Sequence, residues 1–249
     1  MFDLTGRVAV VTGSSRGIGR AIAEALAAAG AAVLAHGTRE AEVNDLAEEW
    51  TRRGWRTAGS AADLGDTDGV GRLRHCVESA LGPADILVLN ASVEIVEPWN
   101  RITQEAMHRQ SVVNVHAAVA LVQSFLPGMI ERRWGRILAI GSVQEERPNA
   151  DHIFYAATKA AQTHLILNLA RNQRCAGVTF NVLRPGAILT DRNRARLEDK
   201  TFAASLLERI PSGRIGTPQD CVGAALLLCS DAGSYINGSI LPVDGGLRL

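Results

Sequence analysis

Apolar residues along this chain fall into short continuous runs separated by longer stretches in which they recur every three to four positions. The short runs are rich in β-branched residues and bounded by turn formers, so they read as buried strands: 7–12 (RVAVVT), 32–36, 57–62, 85–90, 136–140, 178–183 and 239–243. Between them lie helical patterns over 20–29, 40–53, 67–81, 103–131 (one long helix or two abutting ones), from Phe154 onward, and over 218–230. Strands that alternate with helices in this way predict an α/β fold with a doubly wound parallel sheet of about seven strands, covered by helices on both faces. No repeat, low-complexity linker or composition break divides the chain, so 1–249 reads as one domain. In such sheets ligands bind at the carboxyl ends of the strands.

The first strand runs into Gly13-Ser14-Ser15-Arg16-Gly17-Ile18-Gly19 and then into a helix. Strand, glycine-rich turn and helix together offer free backbone amides and a positive helix end to a phosphate. The spacing is GxxxGxG rather than GxGxxG, but the physical logic is shared: one glycine permits the tight turn, and the others let the backbone approach a pyrophosphate. The second strand is followed by Gly37-Thr38-Arg39, where a dinucleotide fold reads the adenosine ribose. An acid there suits a free 2′-hydroxyl and an arginine suits a 2′-phosphate. Thr38 and Arg39 stand where the acid would be, and Arg16 is placed to close on the same phosphate from the other side, which favours NADP(H) over NAD(H). The alternative for Arg39 is the solvated start of a helix.

The stretch Gly141–Lys159 carries the candidate chemistry. Tyr155 and Lys159 are four residues apart on a helix and so share one face. Ser142 sits just past a strand end, where a hydroxyl points into a crevice. A phenol ordinarily loses its proton near pH 10, and a neighbouring ammonium favours the phenolate, so the expectation is a Tyr155 pKa lowered by Lys159 and a tyrosine that can donate and accept a proton. The chain uses lysine only at 159 and 200 and tyrosine only at 155 and 235, relying on arginine elsewhere. Taken alone, the pair also fits a helix-start aromatic beside a solvated charge.

Composition narrows the partners. With 26 Lys plus Arg against 26 Asp plus Glu the net charge is zero, which leaves no electrostatic footprint for nucleic acid or an acidic membrane surface. The start of the chain lacks a signal-peptide pattern, 21–35 is broken by Glu24, and 222–229 is too short to span a bilayer, so a soluble cytoplasmic protein is expected. Cys76, Cys175, Cys221 and Cys229 form no CxxC pair and read as buried reduced thiols. The six histidines show no HExxH, and no metal is expected.

With the glycine loop, Ser142, Tyr155 and Lys159 in place, the chain resembles the short-chain dehydrogenase/reductase family over essentially its whole length. TGSSRGIG from Thr12 matches TGxxxGxG, and Asp63-Leu64 matches the adenine-contacting acid after the third strand. Asn114 matches the asparagine of the family's proton relay. Ser142, Tyr155 and Lys159 complete the tetrad, with 13 residues from serine to tyrosine. Pro185-Gly186-Ala187-Ile188-Leu189-Thr190 matches PGxIxT, whose isoleucine and threonine hold the nicotinamide amide; Gly238 and Val243-Asp244-Gly245-Gly246 match the family's ending. Two departures stand out. The common NNAG is Leu89-Asn90-Ala91-Ser92 here, which puts a side chain at 92 close to the expected path of the adenosine ribose, and the residue before Lys159 is Thr158 rather than serine.

The resemblance implies a single-domain Rossmann fold and hydride transfer between a nicotinamide and a carbonyl carbon. Ser142 would hold the carbonyl oxygen, Tyr155 would donate the proton, Lys159 would hold the nicotinamide ribose, and Asn114 would anchor a water that reloads the proton. The expected pocket walls are 92–100, 143–154 and a lid at 190–212, with Glu94, Glu97, Glu145, Glu146, Arg147, Arg192, Arg194 and Arg196, and with His152 as a substrate contact. Such polarity suits a sugar, polyol or hydroxy/keto acid. A 3-oxoacyl-[acyl-carrier-protein] reductase is the alternative, and a non-catalytic NADP sensor is a rival that would have no need of the whole tetrad. The resemblance also implies a homotetramer or dimer packed through the helices from Thr103 and Phe154.

Overall fold

The computed structural model describes residues 2–172 and 177–249. Seven strands, β1 (Val8–Val11), β2 (Ala32–Gly37), β3 (Thr57–Ala61), β4 (Ile86–Leu89), β5 (Gly135–Ile140), β6 (Val178–Pro185) and β7 (Ile240–Val243), form one parallel sheet in the order β3-β2-β1-β4-β5-β6-β7. The crossover helices are α1 (Gly17–Ala28), α2 (Glu40–Arg52), α3 (Gly69–Ala80), α4 (Gln104–Ser111), α5 (Ala117–Glu131), α6 (Ile153–Asn172), α7 (Arg194–Glu198), α8 (Lys200–Leu207) and α9 (Val222–Cys229). The Rossmann expectation is met, strand for strand. Sequence order runs one way from β1 through β2 to β3 and the other way from β4 to β7, so the chain reverses between β1 and β4, and a crevice opens above their carboxyl ends.

The central strands β1 (VAVV) and β4 (ILVL) read as unbroken apolar runs because both faces of the sheet are covered there. Leu87 and Leu89 of β4 join one core with Leu73, Leu121, Phe125 and Phe180, while Ile86 and Val88 join the other with Ile22, Leu26, Trp50 and Leu228. The predicted 103–131 helix is one continuous element, Gln104–Glu131, in which a π turn at Val112–His116 separates α4 from α5. By length and composition this helix is apolar enough to cross a membrane, but Leu121, Val122, Phe125, Leu126 and Met129 lie buried against the sheet, which accounts for its hydropathy. The segment 190–212, expected as an arginine-rich lid, holds two short helices, α7 and α8. Burial pushes the thiols of Cys221 and Cys229 up to about 12, so both are unreactive, while Cys76 is half-buried. Cys175 lies outside the described residues. No cluster of three metal-ligating side chains occurs among the described residues.

Candidate active site

A cavity of about 880 Å³ occupies the crevice above β1, β4, β5 and β6. Its first wall is the loop between β1 and α1. Gly13 has a φ of +64°, a conformation glycine adopts without penalty. A Cβ on Gly19 would stand 2.3 Å from Asn90 Nδ2 and 2.5 Å from the Gly13 carbonyl, so close approach excludes any side chain there. Asn90 holds the loop down, its Nδ2 donating to the carbonyls of Thr12 (2.8 Å) and Gly13 (3.1 Å). The loop has a second anchor that the sequence did not reveal. His36 at the end of β2 is buried, and its Nδ1 accepts the Gly13 N–H at 2.8 Å while its Nε2 lies 3.0 Å from the Ala62 carbonyl. Nε2 therefore carries the proton and the ring is neutral. Burial pushes its pKa down to about 4.

Of the residues expected to hold the cofactor, Gly13, Ser15, Arg16, Ile18, Gly19, Thr38, Asp63, Leu64, Asn90, Ala91, Ser92, Pro185, Gly186, Ile188 and Thr190 line the cavity. Arg39 does not; its guanidinium is largely exposed and pairs with Glu42. The Asp63 carboxylate takes a hydrogen bond from Arg109 (2.6 Å) and another from the Gly65 N–H (2.8 Å). Burial pushes its pKa up, but these two donors outweigh it and hold the group below its ordinary value. Asn193 holds the Ile188–Thr190 turn, accepting from the Thr190 N–H and donating to the Ile188 carbonyl.

At the other end of the cavity stand Ser142, Tyr155 and Lys159. Ser142 follows β5 and caps a 3-10 turn at Val143–Glu145, its own N–H donating to Glu145 Oε1 at 2.7 Å. Glu145 is in turn held by Arg184 of β6 at 2.8 Å, both side chains being buried. Glu145 and Glu146, expected on the pocket wall, are thus turned away from it onto Arg184. Lys159 is 1% exposed; its Nζ donates to the Ile140 carbonyl (2.7 Å) and to Gln162 (3.2 Å) and lies 6.0 Å from the centre of the Tyr155 ring. Burial, with Arg192 adding to it, draws the lysine pKa down to about 7.

The expected lowering of Tyr155 by Lys159 is not found. Burial raises the phenol above its ordinary value, Arg192 and the hydroxyls of Ser92 and Ser142 pull the other way, and Glu94 adds to the rise. The sequence could not foresee this, because the depth of burial depends on the whole fold, and the same burial discharges part of the lysine near neutrality. Asn114 is fully buried and sits behind the cavity rather than in its wall. Its amide donates to the Val93 carbonyl (2.8 Å) and to Thr158 Oγ1 (2.9 Å), and its oxygen accepts the Val93 N–H (2.8 Å), so it ties the π turn to α6 and to the loop after β4.

Across the mouth lies a polar cluster. His152 Nε2 contacts Glu94 at 2.6 Å, and Arg192 reaches over from the segment after β6 to Glu94 (3.3 Å), the Ser92 carbonyl (2.8 Å) and Ser92 Oγ (3.2 Å). Burial lifts the Glu94 carboxyl, but His152 and Arg192 outweigh it and hold the group below its usual value. Ser92 was expected beside the adenosine ribose; its hydroxyl instead accepts from Arg192 of the segment after β6. Arg147 and Arg196 also line the cavity, whereas Glu97 caps the turn before α4 and Arg194 pairs with Asp191.

A family model described as enoyl-(acyl carrier protein) reductase matches residues 13–248. The gluconate 5-dehydrogenase of Gluconobacter oxydans (strain 621H) is 36% identical over 250 residues, spanning 100% of this chain and 97% of that one. Among solved structures, a gluconate 5-dehydrogenase from Burkholderia cenocepacia J2315 in complex with NADP and tartrate superposes with a TM-score of 0.94 at 35% identity, covering 99% of this chain and 96% of the other. A 3-oxoacyl (acyl-carrier-protein) reductase from Agrobacterium tumefaciens C58 with NADP bound does so at 0.93 and 40% identity, covering 98% and 95%. Matched along its whole length in sequence and in fold, the chain belongs to the short-chain dehydrogenase/reductase family.

Proposed function

We propose that this chain is an NADP(H)-dependent oxidoreductase that interconverts a carbonyl and a secondary alcohol on a small polar substrate, such as a sugar, polyol or hydroxy/keto acid. The observation that carries the reading is the convergence of Ser142, Tyr155 and Lys159 on one end of a cavity whose other end is the glycine loop. That loop fits a dinucleotide: the backbone is bare at Gly13 and Gly19, and the N-terminus of the 12-residue helix α1 follows it. Thr38 and Arg16 stand beside the expected ribose position with no carboxylate at the end of β2. Arg39 needs only to leave an exposed pair with Glu42, a contact of the kind worth roughly 0–1 kcal/mol. The relatives bound to NADP point the same way.

When bound, the nicotinamide supplies the hydride. Ser142 then holds the substrate oxygen, and Tyr155 gives it a proton in reduction and takes one back in oxidation. Lys159 spends two of its three donors on Ile140 and Gln162, and the third is left for a ribose hydroxyl. Both N–H bonds of the Asn114 amide are engaged and its oxygen already accepts the Val93 N–H, so a reloading water would rest on the second lone pair of that oxygen or on the backbone of the π turn. Asp63 and Leu64 would hold the adenine, and Pro185, Gly186, Ile188 and Thr190 would hold the nicotinamide. The segment 190–212 serves as the lid of this single domain, latched through Arg192 to Glu94 and Arg196 to Asp151. The protein works in the cytoplasm as a homo-oligomer, tetramer or dimer, through the helices from Thr103 and from Phe154.

Reduction of 3-oxoacyl thioesters is the second reading, favoured by the 40% identity to the Agrobacterium reductase. Loss of NADPH absorbance over a panel of keto-sugars, keto acids, simple ketones and acyl thioesters separates the two. Turnover is expected on the polar carbonyl compounds and is lost in Tyr155→Phe while NADPH binding persists. Near-normal turnover in Tyr155→Phe refutes the mechanism, and turnover confined to thioesters selects the second reading.

A further inference from the structure

The three walls around the reactive end set Arg147, Arg192, Arg196 and Arg209 against only Glu94 and Asp191 in the lining of the cavity. A chain whose net charge is zero thus gives this chamber an excess of arginine. The pairing within it is uneven. Glu94 is taken by Arg192 and His152, Arg196 is paired with Asp151, and Asp191 lies with Arg194. Arg147 gives Nη1 to the Leu247 carbonyl, and Arg209 gives Nε to the Ser205 carbonyl at 3.1 Å; neither forms a salt bridge among the described residues. Most of the five N–H donors of each guanidinium are therefore open. One feature of the packing brings the two together. Val143, Ile210 and Leu247 form a small apolar cluster apart from the two main cores, and Leu206 packs against it. Arg147 reaches this cluster through the Leu247 carbonyl, and Arg209 directly precedes Ile210. Val143, Leu206 and Leu247 also line the cavity, so this apolar part of its wall carries two open guanidinium groups, one from the turn after β5 and one from the end of α8.

We propose that Arg147 and Arg209 form a receptor for an anionic group on the substrate, a carboxylate or a phosphate, and so select a sugar acid or sugar phosphate over a neutral sugar or polyol. The proposal rests on the reading of this site as one for small polar carbonyl compounds and narrows it. A guanidinium is a planar fork that matches a carboxylate or phosphate with two parallel N–H bonds, and such charge-assisted bonds are about twice as strong as those a neutral hydroxyl accepts. Arg192 is the poorer candidate, because Glu94 and Ser92 already occupy it. Arg147 is half-buried and pinned at Leu247, so its fork is held in place before a ligand arrives. Arg209 is exposed on the lid segment and supplies the second charge. Two unpaired cations in one cleft also raise the local concentration of an anionic ligand.

Three probes with the same carbon chain test this: xylonate, xylitol and xylitol 5-phosphate, titrated calorimetrically into the protein in excess NADPH. All three are alcohols, so with the reduced cofactor they find no oxidant and bind without turnover. At least one of the two anions is expected to bind about tenfold or more tighter than xylitol, and the tighter of the two tells carboxylate from phosphate. Arg147→Met combined with Arg209→Gln is expected to cut the anion-to-xylitol affinity ratio roughly ten- to hundredfold, the loss that follows when hydrogen bonds to a charged group are removed. Arg147→Lys keeps the charge without the fork and is expected to retain part of the ratio. Equal affinity of the native chain for all three probes overturns the proposal. So does a ratio that the double variant leaves unmoved, even where the affinity for every probe falls together, because damage to the fold lowers all three alike. The underlying reading fails separately, through turnover that survives Tyr155→Phe or is confined to acyl thioesters, and the affinity ratio still reports whether the two arginines hold an anion.

Discussion

Neutral His36 is what keeps the glycine loop in place, so protonating it is expected to cost stability in a defined pH window. Its Nδ1 accepts the Gly13 N–H at 2.8 Å, and a proton added there would set donor against donor in a site 2% exposed. Burial holds the folded-state pKa at about 4 against an ordinary value of 6.5. Because the folded value is the lower one, the unfolded chain binds the proton first. The contribution is fully present above pH 6.5, is lost as pH falls from there through about 4, and changes no further below that. Each pH unit crossed between those two values costs about 1.4 kcal/mol, so the loss between pH 7.5 and 4.5 amounts to about 2.5 kcal/mol. The measurement is urea unfolding at several pH values for the native chain and for His36→Asn, which keeps a side-chain acceptor and does not titrate. His36→Asn is expected to be less stable than the native chain at pH 7.5, with the gap narrowing by about 2.5 kcal/mol at pH 4.5. Parallel pH profiles for the two proteins, differing by less than about 0.5 kcal/mol over this range, would refute the reasoning.

Two further perturbations probe other parts of the site. Arg39→Asp places a carboxylate beside Thr38, and the ratio of kcat/KM for NADPH to that for NADH is expected to fall at least tenfold; an unchanged ratio would mean that the 2′-phosphate is read by Arg16 and Thr38 alone. Arg184→Met strips the partner from Glu145, whose side chain is 3% exposed, and leaves a buried carboxylate uncompensated, a change that typically costs about 3–5 kcal/mol. Because Glu145 holds the Ser142 N–H, kcat should drop with it, and chemical denaturation showing less than about 1 kcal/mol lost would contradict the proposed chain from β6 to Ser142.

What the sequence made legible follows from which interactions are local. Apolar runs marked the central strands because a sheet covered on both faces needs no alternation, the edge strand β3 (TAGSA) followed from the strand–helix rhythm, and Ser142, Tyr155 and Lys159 could be found because their spacing lies within one strand–turn–helix unit. The helices α7 and α8 escaped notice because they are only five and eight residues long and contribute no fully buried residue. His36 looked like any residue at the end of a strand; only the closure of the loop from β1 over it made it an acceptor for Gly13. The pKa of Tyr155 depends on burial contributed by several separate segments, and no spacing rule encodes that sum.

Ser92 shows the same limit most sharply. In the sequence it is a small residue in place of glycine, and the nearest inference is crowding of the cofactor. The group that changes its meaning is Arg192, 100 residues away, and the two meet only because the parallel crossovers from β4 through β5 to β6 bring the segments that follow both strands to the same edge of the crevice. Arg192 is also the strongest of the groups that favour the Tyr155 phenolate, and it is held by Glu94, which opposes it. Burial dominates the acid strength of the tyrosine, and against it works a contact made across the cleft by a lid side chain that is nearly half exposed. A substrate that displaces Arg192 from Glu94 is therefore expected to shift the Tyr155 pKa as it binds, because the guanidinium and the carboxylate act on the phenol in opposite directions.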